Sequence, residues 1–367
     1  MTIFRIPIRR INRTTSAFLI GTLMLTLTAV PLYIWHYGID AFQITFFFVM
    51  FALTGFSITL GYHRLFSHIA FKAHWSVRLF TLIFGAAAFE NSALLWCCEH
   101  RRHHKHVDEE EDPYDISKGF FHAHIGWLLF KMNPDPPFDN VADLQRDPLV
   151  RWQHKHIHLL AVVVSFLMPT LVGWAWGGPI AALGSFLIAG IARVVAVQHC
   201  TFFINSACHT IGSRPYSSNC SARDSWMMAI FTFGEGYHNY HHEFQHDYRN
   251  GVKPWQFDPT KWLIWTLSKF GLAHNLRRVS SEKILLAELA EAQRRLEKKL
   301  VQVEPASHSH GLISAAYERL HKTAQEWNER RSDKIEVTRE MLRELRHEIR
   351  EAMSSLRLVN QLAASQA

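Results

Sequence analysis

The chain has 367 residues and a formal charge of +7, and its mean hydropathy of -0.04 averages an apolar region to about residue 200 and a charged tail from Ser280. The basic residues flank apolar segments or interleave with acids in the tail, so the charge points to a membrane surface and away from a nucleic-acid partner. The five cysteines (Cys97, Cys98, Cys200, Cys208 and Cys220) contain no CxxC pair, which argues against a disulfide framework and for reduced thiols.

In chain order, Arg5, Arg9, Arg10 and Arg13 precede a first apolar segment over 17–36. No small-residue cleavage site ends it, so an uncleaved anchor is expected. A second segment covers 41–60, a third 157–176 and a fourth 179–198, each near the 20 residues that span a bilayer. The stretch 77–96 is also apolar but carries Glu90 and Asn91, which are costly in hydrocarbon; it reads as an interfacial or buried helix. The connectors 37–40 and 177–178 lack Lys and Arg, whereas the loop 61–156 is basic. The positive-inside rule then puts both termini and that loop in the cytoplasm, with four crossings arranged as two helical hairpins. Arg193, inside the fourth segment, either snorkels to the border or faces a polar cavity.

A first domain over 1–280 is expected to precede a charged helical tail over 281–367. In the tail, Leu285, Leu289, Ala292, Leu296 and Leu300 form a helical stripe that Pro305 and Gly311 interrupt. His308 and His310 fall in a Ser-rich stretch read as a solvated linker. Leu342, Leu345, Ile349, Ala352, Leu356 and Val359 then follow a coiled-coil pattern. It serves either packing on the rest of the chain or self-association.

Nine histidines fall in four groups just beyond or between the apolar segments: His63 and His68; His100, His103 and His104; His209; and His238, His241 and His242. Imidazole is the commonest side-chain ligand for transition metals, and nine exceed the needs of one structural zinc. HxxHH on a helix sets an adjacent pair one turn from a third ring, so one group can serve two metals. Asn205 and His209 are four apart and share a face. His63 and His68 are five apart, about 140° around an α-helix, so they reach different metals or the helix ends between them. Residues 108–112 (DEEED) offer carboxylates, although such a run is more often a solvated loop. His74, His154, His156, His158, His199, His246 and His274 lack a repeated spacing. If 77–96 crossed the membrane once, the groups on either side of it could not share a site. A two-metal site beside a membrane points to dioxygen chemistry on a lipid.

HRLFSH, EHRRHHKHVD, GFFHAHIGWLL, NSACH, RPY and GEGYHNYHHEFQHDYR occur in this order. Over roughly residues 15–280 the chain resembles the membrane fatty-acid desaturases, closest to the stearoyl-CoA (acyl-CoA Δ9) desaturases. The resemblance implies an all-α membrane protein with four transmembrane helices and a cytoplasmic histidine-rich di-metal cap. It implies two Fe2+ ions on the nine histidines named above, with dioxygen as co-substrate. Asn205 matches a residue that approaches one metal through water. Trp96 and Thr201 match residues lining the bend of an acyl tunnel, and Asn91 and Glu99 match part of the acyl-CoA access region. Cys98 stands where acyl-CoA enzymes commonly carry Arg, and Glu90 where Gln is usual in animal relatives, which leaves the CoA contacts open.

The implied reaction inserts a cis double bond, at Δ9, into a saturated acyl chain carried on CoA; an acyl-lipid substrate, or hydroxylation on the same scaffold, is the alternative. With no HPGG segment, ferredoxin cysteine spacing or GxGxxG in the chain, the two electrons come from a separate ferredoxin or cytochrome b5 type donor. A metal transporter would place its ligands near the membrane midplane, unlike these histidines. A bacterial inner membrane is the expected location.

Overall fold

The computed structural model describes residues 10–131, 136–305, 307–333 and 336–366. They form two compact units. One contains the described residues of 1–212 and 221–278; the other contains those of 213–220 and 279–367.

In the first unit, helix α1 (Arg13–Tyr37) starts at Asn12, whose side chain accepts from the Thr15 N–H. Its 25 residues reach about 37 Å at 1.5 Å each. Helix α2 (Ala41–Phe56) opens on a capping box between Asp40 and Gln43. It then widens into a π-helical stretch, Ser57–Ser67, whose residues are all buried. The Gln43 amide also reaches Tyr33 Oη at 2.7 Å, tying α2 to α1.

The expected single helix over 77–96 is two. Helix α3 (Trp75–Ala86) stops at a turn in which Phe89 and Asn91 take positive φ, and helix α4 (Ala93–Lys105) restarts on the Ser92 cap. Twelve residues give about 18 Å, too short to cross a bilayer. Ala86, Ala87 and Ala88 are fully buried at the turn, and side chains from elsewhere satisfy its carbonyls. Arg193 Nη1 and Ser165 Oγ donate to Ala87 O at 2.6 and 2.9 Å, and the Gln198 amide donates to Ala88 O at 3.2 Å. Arg193 is therefore inward and fully buried, not snorkelling.

Among the described residues three helices are long and apolar enough to cross a membrane: Arg13–Tyr37, Ala41–Ser67 and Ile157–Thr210. The third is broken at Gly177 and Gly178, where Gly178 has φ 71°. Its arms, α5 (157–176) and α6 (179–210), fold back on each other. Gly173 lies hard against Ser185, and a Cβ on Gly190 would come within 2.9 Å of Ser165 O. Helix α6 runs beyond the apolar segment to Thr210, so Thr201, Asn205 and His209 share one rigid element. A short antiparallel pair, β1 (Lys72–Ala73) with β2 (Ala273–His274), joins the segment after the π-helical stretch to the C-terminal end of the unit in the register Lys72 to His274.

The second unit is a helical tail with the loop 213–220 folded onto it. Its helices are α8 (Ser281–Gln302), α9 (His308–Ser332) and α10 (Arg339–Gln366). Helix α9 corrects the linker reading of His308 and His310. Ser307 accepts from the His310 N–H and caps the helix, and Gly311 sits within its first turn. Ile313, Leu320 and Trp327 of α9 pack with Leu285, Leu289 and Leu296 of α8 and Leu345, Ile349 and Leu356 of α10. Both apolar stripes are thus buried against partners within the chain.

Candidate metal centre

Four elements deliver the nine histidines. His63 lies in the π-helical stretch and His68 just after it. His100, His103 and His104 lie on α4, and His209 lies near the end of α6. His238, His241 and His242 lie on a short helix, His238–Glu243, here α7.

The side chains converge into two groups. His63, His68, His100, His104 and His241 form one, and His103, His209, His238 and His242 form the other. Within each, the ligand atoms lie within 4.8 Å of one another. In the first, His68 Nε2 is 2.8 Å from His100 Nε2, and His241 Nε2 is 3.0 Å from both His63 Nε2 and His104 Nε2. In the second, His238 Nε2 is 3.1 Å from His209 Nε2 and from His242 Nε2, and His103 Nε2 is 3.3 Å from His242 Nε2. Two nitrogens bound at right angles to one ion at about 2.1 Å would stand roughly 3.0 Å apart, so the spacing fits a transition metal in each group. Each HxxHH group splits between the two clusters, as its helical spacing allows. His63 and His68 do not split. The π-helix brings residues five apart onto one face, and the His68 N–H donates to His63 O at 3.1 Å.

Burial first, then the surrounding imidazoles, hold His68, His100, His104, His238, His241 and His242 well below the usual histidine range. They stay neutral, the form that ligates metal.

The outer nitrogens have partners that set ring orientation. His103 Nδ1 faces both oxygens of Asp112 at 2.9 Å. His63 Nδ1 is 2.9 Å from Glu235 Oε2. His209 Nδ1 is 2.6 Å from Ser221 Oγ, and Ser221 N–H donates to Asp108 Oδ2 at 2.6 Å. Glu235 in turn receives Arg64 Nη2 at 2.8 Å, and Arg64 also pairs with Asp258 at 3.0 Å. The run 108–112 is therefore neither a set of extra ligands nor wholly solvated. Its two end aspartates support the histidines, and Glu109, Glu110 and Glu111 face solvent. Glu235 and Ser221 are the functional candidates that sequence spacing missed, whereas Asp112 lies in the run singled out there for its carboxylates and serves as a histidine partner. Glu235 stands three residues before His238, and Ser221 carried no motif signal.

Beside the first cluster lies a cavity of about 670 Å³. Asn91, Trp96, Glu99, Thr201 and Asn205, expected at an acyl site, all line it, and so does His100. Trp96 stacks on His100 at 4.7 Å between ring centroids and donates Nε1–H to Glu90 Oε2 at 3.3 Å. Burial pushes the Glu90 carboxyl up to about 8, against weaker opposing hydrogen bonds from Thr201 and Trp96. Cys98 is fully buried and is not part of this lining.

Apolar helices carrying two convergent imidazole clusters beside a deep cavity define a membrane protein with a paired metal-binding centre. A fatty acid desaturase family model matches residues 41–277. The chain is 42% identical over 276 residues to acyl-CoA desaturase 1 of Saccharomyces cerevisiae, covering 75% of this chain and 52% of that protein. It is 42% identical over 255 residues to a probable acyl-CoA desaturase of Schizosaccharomyces pombe, covering 69% of this chain and 53% of that one. Stearoyl-CoA desaturase 5 of Bos taurus is 36% identical over 239 residues, covering 64% and 71%. The chain spans about half the length of the two yeast relatives. It belongs to the fatty acid desaturase family.

Proposed function

We propose that the protein is a di-iron desaturase that introduces a cis double bond, at Δ9, into a saturated acyl chain carried on CoA. The observation that carries this is the pairing of five- and four-histidine clusters with a 670 Å³ cavity that reaches His100 through the stacked Trp96. The nine histidines would hold two ferrous ions. With dioxygen and two electrons, such a pair supplies the oxidant needed to remove hydrogen from an unactivated methylene.

The protein's own residues do the rest. Asp112, Glu235 and Ser221 fix the rings of His103, His63 and His209, so the donor atoms are aimed before metal arrives. Trp96, Thr201 and Phe89 wall the cavity and keep water from the reacting carbons. The same wall orients one methylene pair toward the clusters, so bond position follows from placement rather than from substrate reactivity. Arg102 and Lys131 on the lining would offer cationic contacts for CoA phosphates, which supports a CoA carrier despite Cys98.

The broken helix 157–210 supports four crossings, because its two arms each approach bilayer length. The basic residues before α1 and in the loop 61–156 support a cytoplasmic side for the termini and the histidines. The relatives named above are fungal and mammalian, so the bacterial inner membrane rests on no comparison. Electrons come from a separate ferredoxin or cytochrome b5 type donor. Self-association through the tail would need a surface other than the two stripes buried within the chain. Particle mass in detergent decides it.

Expression in a desaturase-deficient yeast, with double-bond positions read by mass spectrometry beside His103→Ala, tests the reading. A new cis-Δ9 bond that disappears in the variant supports it. A bond elsewhere corrects the regiochemistry, and an alcohol product replaces desaturation by hydroxylation. Acyl-lipid products without acyl-CoA turnover would move the substrate from CoA to lipid.

A further inference from the structure

Two histidines outside the paired clusters face each other from different elements of the first unit. His124 belongs to the GFFHAHIGWLL motif, to which the metal centre assigns no role, and lies in a short π-helical turn, His122–Gly126. His199 lies on α6 and has no repeated spacing. Their ring nitrogens, His124 Nε2 and His199 Nδ1, stand 3.0 Å apart. The same 3.0 Å separates His241 Nε2 from His63 Nε2 and from His104 Nε2 within the five-histidine cluster.

The proton positions in this pair follow from its third partner. Ser206 is fully buried, and it donates its one hydroxyl hydrogen to Phe202 O at 2.9 Å. Towards His124 Nδ1, 2.9 Å away, Ser206 Oγ therefore accepts. His124 then carries its hydrogen on Nδ1 and aims the lone pair of Nε2 at His199. Burial, then the neighbouring His199, holds His124 down to about 4, so the ring is neutral at pH 7. An outer N–H fixed by a buried partner, with the inner nitrogen left to donate electrons, is the arrangement of a ligating histidine. Phe120 and Phe203 pack on the His124 ring, and both imidazoles are half-buried, so water reaches them and can fill further coordination positions.

We propose that His124 and His199 form a separate, exchangeable site for a divalent transition ion of the zinc type, distinct from the nine-histidine centre. In the metal-free pair, His199 Nδ1–H donates to His124 Nε2. On binding, that hydrogen moves to His199 Nε2, and both facing nitrogens give their lone pairs to the ion. Two imidazoles with water fall short of the four protein ligands of a structural zinc, so the site fills and empties with the free ion concentration. Trp127, Leu128 and Phe130, just after His124, line the large cavity, as do Thr201 and Phe202 on α6. An ion bridging His124 to His199 thus clamps one cavity wall onto another. The inference goes beyond the desaturase reading and does not depend on it.

The test uses full-length, iron-loaded protein in detergent, titrated with Zn2+ while zinc and iron per chain are counted and hydrogen exchange is followed over 119–130. The variants are His124→Ala, Ser206→Ala and His199→Asn, whose amide N–H can keep the hydrogen bond to His124 Nε2 and so preserve the fold. Wild type is expected to hold one more metal ion per chain than His199→Asn or His124→Ala. Zinc should slow exchange over 119–130 in wild type and leave it unchanged in those two variants. Ser206→Ala should bind the extra ion about 10-fold more weakly. Equal total metal in wild type and His199→Asn overturns the proposal, because the zinc then sits in the nine-histidine centre or scattered on the surface. An extra ion that leaves exchange over 119–130 unaltered overturns the clamp. Protein that holds no iron would overturn the di-iron reading alone, since the one-ion difference between wild type and His199→Asn is counted in total metal.

Discussion

Asp112→Asn separates the two clusters. Asp112 is buried, and its oxygens face His103 Nδ1 at 2.9 Å while accepting the N–H groups of Tyr114 at 3.1 Å and Asp108 at 3.2 Å. The asparagine keeps one acceptor oxygen, enough for His103 and Tyr114 on the Oδ1 side. Its amide nitrogen then meets the Asp108 N–H, leaving donor against donor at a cost of about 1–3 kcal/mol. The charge that stiffens His103 is also lost. Removal of such outer partners lowers metal affinity about 10- to 100-fold, or roughly 1.4–2.7 kcal/mol. His103 serves only the four-histidine group, and no contact of Asp112 described above touches the other five histidines. Chelator titration of the purified holoenzyme should therefore show one site weakened by that factor and one unchanged. Equal weakening of both sites, or of neither, would refute the division into five and four.

Glu90 gives a pH signature. Its folded value of about 8 lies above the ordinary 4.5, so between those limits the unfolded chain ionises while the folded carboxyl stays neutral. Stability is thus lost as pH rises through that window, by at most about 1.4 kcal/mol per pH unit. Glu90→Gln should melt progressively higher than wild type between pH 5 and pH 8 in detergent, and parallel melting curves would show the shift is wrong. Glu235→Ala leaves buried Arg64 with Asp258 as its remaining carboxylate and frees His63. A loss of up to about 3–5 kcal/mol in unfolding free energy is expected, with weaker metal at the five-histidine site; an unaltered unfolding midpoint would count against the network. Gly236→Ala would drive a Cβ into the backbone of Met228 and Ala229 just ahead of α7. Bound metal should fall well below the wild-type content, and a fully loaded variant would show that α7 tolerates the shift.

The sequence makes the histidine clusters readable because HxxHH depends only on helical spacing, and α4 and α7 are both helical at those residues. It conceals Glu235 and Ser221 because each meets its histidine through a turn or across distant segments, where no periodicity applies. The apolar runs mark 17–36 and 41–60, but 77–96 hides a break. Hydropathy sees Ala86, Ala87 and Ala88 as continuous helix, whereas helix α3 ends there and Arg193, Ser165 and Gln198 satisfy the free carbonyls from afar. Helix α9 is hidden differently. Ile313, Ala316, Leu320 and Trp327 are helically spaced, but Gly311 and the Ser-rich start look like a linker until Ser307 is seen as a cap.

The HxxxxH pair shows how a departure from regular geometry produces the site. In an α-helix five residues turn about 500°, leaving His63 and His68 about 140° apart and able to reach one ion only if the chain bends between them. The second apolar helix instead widens over Ser57–Ser67 before it ends. The i+5 hydrogen bond from His68 to His63 then puts both imidazoles on the face that meets α4 and α7. Wide turns of this kind are uncommon in helices and recur at functional sites, because each gives up regular packing to redirect a side chain. Here the redirection supplies two of the five histidines in the first cluster. The widened turn also aims Arg64 at Glu235 and Asp258, and Glu235 is the carboxylate that orients His63. The irregular backbone, the buried ion network and the uneven split of histidines therefore share one cause, the widened end of a membrane helix.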